Sequence, residues 1–135
     1  MPNKTFINLP IKDLNRSVNF FTALGFKFNP QFTDENATCM IISEESYVML
    51  LVEKFFKSFI KKEISDARKT TEVIIALSCE SKAEVDLIVG KAIAAGATSP
   101  NPAEDSGFMY QHGFEDLDGH LWDVFWMDVS QMPQK

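Results

Sequence analysis

Residues Ile7–Phe28 read INLPIKDLNRSVNFFTALGFKF, and the order of signals in this stretch sets the fold. Ile7, Leu9 and Ile11 alternate with Phe6, Asn8 and Pro10, the period of a half-buried strand. Pro10 has no N–H for a ladder, so this strand belongs at a sheet edge or near a strand end. Asp13 then stands where a helix N-cap belongs, its carboxylate free to accept backbone N–H bonds. Leu14, Val18, Phe21 and Leu24 follow at helical spacing, and Gly25 stops the pattern.

Working outward, three strands are expected around Phe26–Phe28, Ala37–Ser43 and Tyr47–Glu53, with a hairpin turn at Ser43–Ser46. The second half repeats the order. Glu72–Cys79 is β-branched and apolar, the composition of a strand. Ser81 followed by Glu84 is a capping box. Val85, Ile88, Ala92 and Ala95 form the expected buried stripe, and Gly96 stops the helix. A Pro/Asn loop over Ser99–Glu104 leads to a strand near Phe108–Glu115. Asp118-Gly119, inside a turn at Asp116–Gly119, is a strong hairpin signal before a strand at Leu121–Met127. The chain therefore reads as one α+β domain (1–135) of two βαβββ modules, about 4–55 and 71–128, joined by a linker or flap over about 54–70.

The 135 residues are 45% hydrophobic and 24% charged, an ordinary globular composition. Thirteen Lys and Arg against nineteen Asp and Glu give 13 − 19 = −6. That sign argues against nucleic acid as a partner, because phosphate binding needs a basic surface. The longest purely aliphatic run, Val48–Val52, is far short of the roughly 20 residues a membrane helix needs. No apolar segment follows a positive start at Met1–Lys4, so no secretion signal is expected. Two cysteines, Cys39 and Cys79, are too few for a disulfide framework and fit a reduced, cytoplasmic protein.

FEDLDGHLWDVFWMD (Phe114–Asp128) and EVIIALSCESKAEVDLIVGKAIAAGA (Glu72–Ala97), taken with Ile7–Phe28, resemble the vicinal oxygen chelate superfamily. Its members include glyoxalase I, bleomycin-resistance proteins and extradiol dioxygenases. The resemblance implies a U-shaped, incompletely closed mixed sheet around a cavity, helices outside, and commonly a homodimer. In metal-using members four side chains converge in that cavity. Carried over, those positions fall on Phe6, on Met49 or Leu51, on Ile74 and on Asp123. Phe, Met, Leu and Ile do not ligate a hard or borderline divalent ion. No cofactor is therefore expected, and a divalent metal is disfavoured.

The candidate cavity residues are Phe6, Asn8, Met49, Leu51, Ile74, Gln111, Asp123 and Phe125. Asp123 shares a face with Leu121 and Phe125, whereas Trp122, Val124 and Trp126 point the other way. It is either a cavity carboxylate, the candidate base, or a structural aspartate paired to a backbone or basic group. Asn8 either fixes a ligand or bonds its own backbone. Met109 and Gln111 face together, opposite Tyr110 and His112. His112 is free to orient a ligand or a carboxylate such as Glu115, and His120 reads as a solvated turn residue. Cys39 and Cys79 read as small buried residues. Trp122 and Trp126 either pack on a helix or anchor a subunit interface. In Glu53–Glu63, Phe55, Phe56, Phe59 and Ile60 fall on one helical face with Lys54, Lys57 and Lys61 around it. That helix would be a flap, a strip against a partner or a membrane-surface segment.

Three functions are compatible with this pattern. The first is a bleomycin-resistance-type protein that binds a small molecule in an apolar cavity without the full metal site. The second is a metal-dependent lyase/isomerase or dioxygenase. The third is a metal-free enzyme using Asp123 as base, which needs a second polar group such as Asn8 or Gln111 for a developing oxyanion.

Overall fold

In the computed structural model, which describes residues 1–131, strand pairing produces two four-stranded mixed sheets, neither closed on itself. The sheets fall in separate compact units, Met1–Ser65 and the chain from Asp66 onward.

The first unit contains β1 (Thr5–Ile11), α1 (Leu14–Ala23), β2 (Lys27–Asn29), β3 (Ala37–Ile41) and β4 (Ser46–Val52). The strand order is β1-β4-β3-β2, with β1 parallel to β4 and the other pairs antiparallel. Pro10 thus sits on an edge strand, where its missing N–H costs no ladder bond. Asp13 caps α1, its Oδ1 accepting from Arg16 N at 3.0 Å. Leu9, Ile11, Met40, Val48 and Leu50 are buried together with Phe20 and Phe21 of α1 and its C-cap Leu24. Fully burying one such side chain contributes about 1.5–3 kcal/mol, so this face holds the unit together. The opposite face carries Phe6, Asn8, Cys39, Tyr47, Met49 and Leu51.

The second unit contains β5 (Ile74–Ser78), β6 (Glu104–Asp105), β7 (Met109–Glu115) and β8 (Leu121–Met127) in the order β5-β8-β7-β6. Its helix spans Lys82–Ala94. β5 is parallel to β8 and the rest are antiparallel. Ser81 Oγ accepts from Glu84 N at 3.1 Å, but the Glu84 carboxylate turns to the Cys79 thiol. Half of the expected capping box is therefore made. The buried stripe of the helix is Val85, Val89 and Ala92; Ile88 and Ala95 are only half-buried. The i, i+4, i+7 series from Val85 runs through Val89, not Ile88. Beneath that helix lie Ile75, Leu77, Phe114, Trp122 and Val124, all buried. Left-handed glycines, Gly25 and Gly96, follow the two long helices.

The Glu53–Glu63 segment departs from expectation. Only Glu53–Lys57 is α-helical. After it, Ser58 N, Phe59 N and Ile60 N donate to the carbonyls of Phe55, Phe56 and Lys57, three residues back. Ser58 Oγ also donates to Phe55 O, and Lys57 Nζ donates to Lys62 O. No side chain caps the start at Val52, and although Phe55 and Phe56 are half-buried beside β1 and β4, a helix of one turn or so without an N-cap side chain gains little by adding turns. Phe59 is exposed, its ring edge-on to Phe55 at 5.0 Å. Among the described residues, no helix is long and apolar enough to cross a membrane.

Candidate functional site

The register of the second sheet sets the site. Ile74 lies opposite Leu121, Ala76 opposite Asp123, Gln111 opposite Phe125 and Gly113 opposite Asp123. Strand alternation carries all of these onto the face away from the helix. A cavity of about 320 Å³ opens there, lined from the sheet by Ile74, Leu121, Asp123, Gln111, Gly113 and Glu104, with His112, Phe114 and Trp122 of the alternate strand positions also bordering it. Pro100, Asn101 and Pro102 form a further wall. Gly113 keeps the floor low, and it also lies close to backbone: a Cβ there would stand 3.0 Å from Trp122 O.

The proline wall is fastened from behind. Ser99 Oγ donates to Gly113 O at 2.6 Å. Its single proton is then used, so the 2.9 Å contact with His112 has His112 Nε2–H donating to Ser99 Oγ. The same Nε2 lies 3.2 Å from Asn101 O. His112 therefore pins the wall and is not paired with Glu115, whose carboxylate accepts from Thr98 Oγ1 at 3.2 Å. Thr98 and Glu115 also exchange backbone bonds of 3.1 and 2.7 Å, closing the loop onto β7.

Burial pushes the Asp123 carboxyl up, and the negative charge of Glu104 adds to the shift. Among the described residues no N–H, hydroxyl or cation is hydrogen-bonded to Asp123. Glu104 Oε2 accepts from Gln111 Nε2 at 3.4 Å. Elsewhere in the unit, burial pushes Asp116 up. The His120 charge, the Trp122 indole and the N–H groups of Asp118 and His120 act in the opposite direction. His120 is accordingly a half-buried neighbour of a carboxylate, not a solvated turn residue. Burial first, and Glu84 next, push the Cys79 thiol up to about 12. Burial also raises Cys39. Neither thiol is poised as a nucleophile.

Of the residues singled out from sequence, Ile74, Gln111 and Asp123 are brought together on the cavity lining. Phe125 shares their face but lies off the lining. Phe6, Asn8, Met49 and Leu51 share one face of the first sheet. There Phe6 stacks on Tyr47 with centroids 4.8 Å apart, and Asn8 Nδ2 donates to Phe6 O at 3.4 Å. Met49 is half-buried and Leu51 buried. Trp122 and Trp126 lie on the helix side of the second sheet. Trp122 is stacked on Phe114 at 6.2 Å, and Trp126 is covered by Lys82, whose Nζ lies 5.6 Å from the ring centroid. Lys82 also pairs with Asp105 at 2.9 Å. Sequence reasoning missed Glu104 and the proline wall; the signal was the Pro-Asn-Pro run closed by an acid two residues on.

Residues 4–43 match the model of the bleomycin resistance protein-like N-terminal family. A hypothetical protein of S. aureus is 30% identical, with a TM-score of 0.79 over 93% of this chain and 95% of its own. A glyoxalase-related enzyme from Fulvimarina pelagi is 19% identical, with a TM-score of 0.80 over 96% of this chain and 91% of its own. A mutant of the fosfomycin resistance protein FosX from Listeria monocytogenes, complexed with Mn(II) and 1S,2S-dihydroxypropylphosphonic acid, is 19% identical. Its TM-score is 0.67 over 92% of this chain and 89% of its own. No curated protein sequence matches the chain. Its two βαβββ modules give the chain the fold of the vicinal oxygen chelate superfamily.

Metal-using members of that superfamily hold a divalent ion, and the residues present here at the carried-over positions do not fit one. At the carried-over ligand positions stand Phe6, Met49 or Leu51, Ile74 and Asp123, so one hard donor is offered where about three are needed. Among the described residues no three His, Cys, Asp or Glu side chains group as a metal site would require.

Proposed function

We propose that this protein binds a small organic molecule in the cavity of its second unit and does so without the superfamily's full metal site. The observation that carries this reading is the cavity itself. Its volume of about 320 Å³ lies at the small end of the roughly 300–1,000 Å³ typical of ligand pockets. Its walls combine apolar residues (Ile74, Leu121, Pro100, Pro102) with polar ones (Asn101, Glu104, Gln111, His112, Asp123), a hydrocarbon surface with anchoring groups beside it. Proline walls are stiff, so little ordering entropy is lost on binding.

Asp123 as a catalytic base is the neighbouring possibility, since a raised carboxyl suits proton abstraction. It needs a donor for the developing oxyanion, and the Gln111 amide is engaged with Glu104. Binding is therefore favoured over catalysis. The fold shared with FosX is what favours the alternative, a metal-dependent lyase/isomerase or dioxygenase. The proposal also includes a homodimer in a reduced, cytoplasmic setting, in keeping with two free cysteines. The net charge of −6 supports a protein without nucleic-acid or membrane partners.

The test is a ligand-observed NMR fragment screen in EDTA, run on wild type and on Ile74→Trp, which fills the cavity from an exposed position. Binding to wild type that is lost in the variant is expected. No binding to wild type, or binding equal in both, would contradict the reading.

A further inference from the structure

The cavity lining holds two carboxylates, Asp123 and Glu104, no lysine or arginine, and one histidine, His112, whose Nε2 is turned to Ser99 Oγ and Asn101 O. Register explains why both carboxylates remain open to a ligand. Asp123 is flanked across the sheet by Gly113 on β7 and Ala76 on β5, the two smallest side chains available. Nothing on those neighbours rises to cover it. Glu104 stands opposite Gln111 on the other side of β7, and the missing side chain at Gly113 leaves the space between the two acids clear. Gln111 steadies Glu104 at 3.4 Å, whereas no described residue bonds to the Asp123 carboxylate. A half-buried carboxylate facing a second negative charge without a counter-cation is unfavourable. Among the described residues none supplies that partner, which leaves the position open to a cation from solution.

The size and walls of the cavity say what kind of cation that is. A bare divalent ion needs several converging oxygen or nitrogen donors, and among the described residues no three His, Cys, Asp or Glu side chains group to supply them. About 320 Å³ bounded by Ile74, Leu121 and two prolines suits a hydrocarbon body. An anion such as a phosphonate would meet two like charges here. We propose that the cavity is selective for organic ammonium ions, the N–H⁺ group lodging between Asp123 and Glu104 and the hydrocarbon part lying against Ile74, Leu121, Pro100 and Pro102. This rests on the reading of the cavity as a small-molecule site and specifies the ligand's charge.

Three probes of matched shape separate charge from shape: 2-phenylethylammonium, 2-phenylethanol and 3-phenylpropanoate. Each is titrated into isotope-labelled protein at about pH 7.5 and low salt, with amide shifts of residues 74, 113 and 123 as the readout. The ammonium probe is expected to bind at least about tenfold tighter than the alcohol, and the carboxylate weakest of all. Asp123→Asn and Glu104→Gln are each expected to narrow the ammonium probe's margin over the alcohol, and so is about 0.5 M salt. Glu104 is exposed, so its variant serves even if the Asp123 variant folds poorly. Alcohol or carboxylate binding as tight as the ammonium overturns the charge selectivity and leaves the cavity reading standing. If no probe binds, and the fragment screen is also blank, both fall together.

Discussion

The indole N–H of Trp122 donates to the carboxylate of Asp116 at 2.9 Å, and both residues are buried. The same carboxylate accepts from Asp118 N at 2.9 Å and from His120 N at 3.0 Å. One aspartate therefore closes the β7–β8 turn and fixes the first inward side chain of β8. With Trp122 turned toward the helix, strand alternation turns Asp123 toward the cavity. A one-residue slip would exchange the two faces.

Removing that carboxylate leaves an indole N–H and two backbone N–H groups without acceptors. Asp116→Ala should cost about 3 kcal/mol of stability, measured by urea unfolding. A loss below about 1 kcal/mol would mean that the turn holds itself.

Asp123 affects stability in the opposite sense. Its folded carboxyl lies above the unfolded value of about 3.9. A raised group contributes fully below the unfolded value, and that contribution is lost as pH rises through the folded one. Asp123→Asn does not undergo that loss. Its stability relative to wild type should therefore rise between about pH 4 and pH 7, read from paired unfolding curves. An advantage that shrinks over this window would show that Asp123 has a cationic partner inside the protein.

Gly119 occupies the left-handed region at φ 92°, and a Cβ there would stand 2.9 Å from Arg68 Cγ and 3.0 Å from Ala67 C. Arg68 reaches back to the same turn, its guanidinium donating to Leu117 O. Gly119→Ala should cost about 2–3 kcal/mol and expose residues 66–70 to proteolysis. Unchanged melting and cleavage would show that the Arg68 segment moves aside freely.

Cys79 should react with a disulfide reagent at pH 8 at least about tenfold more slowly in the folded protein than in denaturant, because only the thiolate attacks. Its thiol is pushed up to about 12. Equal rates would place Cys79 in a more open, less acidic setting.

Local grammar carried most of the fold. Asp13, Ser81 and Asp118-Gly119 act over a few residues, and each is used as a cap or turn. The alternation of Leu121–Met127 gave the faces of β8 correctly because one side of that strand is buried. The cavity was less legible. Its wall depends on Ser99 meeting His112 and Gly113, partners more than ten residues away that no local pattern specifies. Glu104 enters through a two-residue edge strand, too short to show a period. The Glu53–Glu63 pattern promised a helix, yet spacing alone does not propagate one without a side-chain cap at its start.

The most direct test of metal-independent binding is the metal content of tag-free protein. It would be read by plasma mass spectrometry after incubation with Zn, Ni, Co, Mn and Fe(II) and desalting. Well under one tenth of a metal ion per chain is expected, since Asp123 alone keeps a hard donor at the family's ligand positions. About one tightly held ion per chain would contradict that expectation and direct attention to lyase and dioxygenase chemistry.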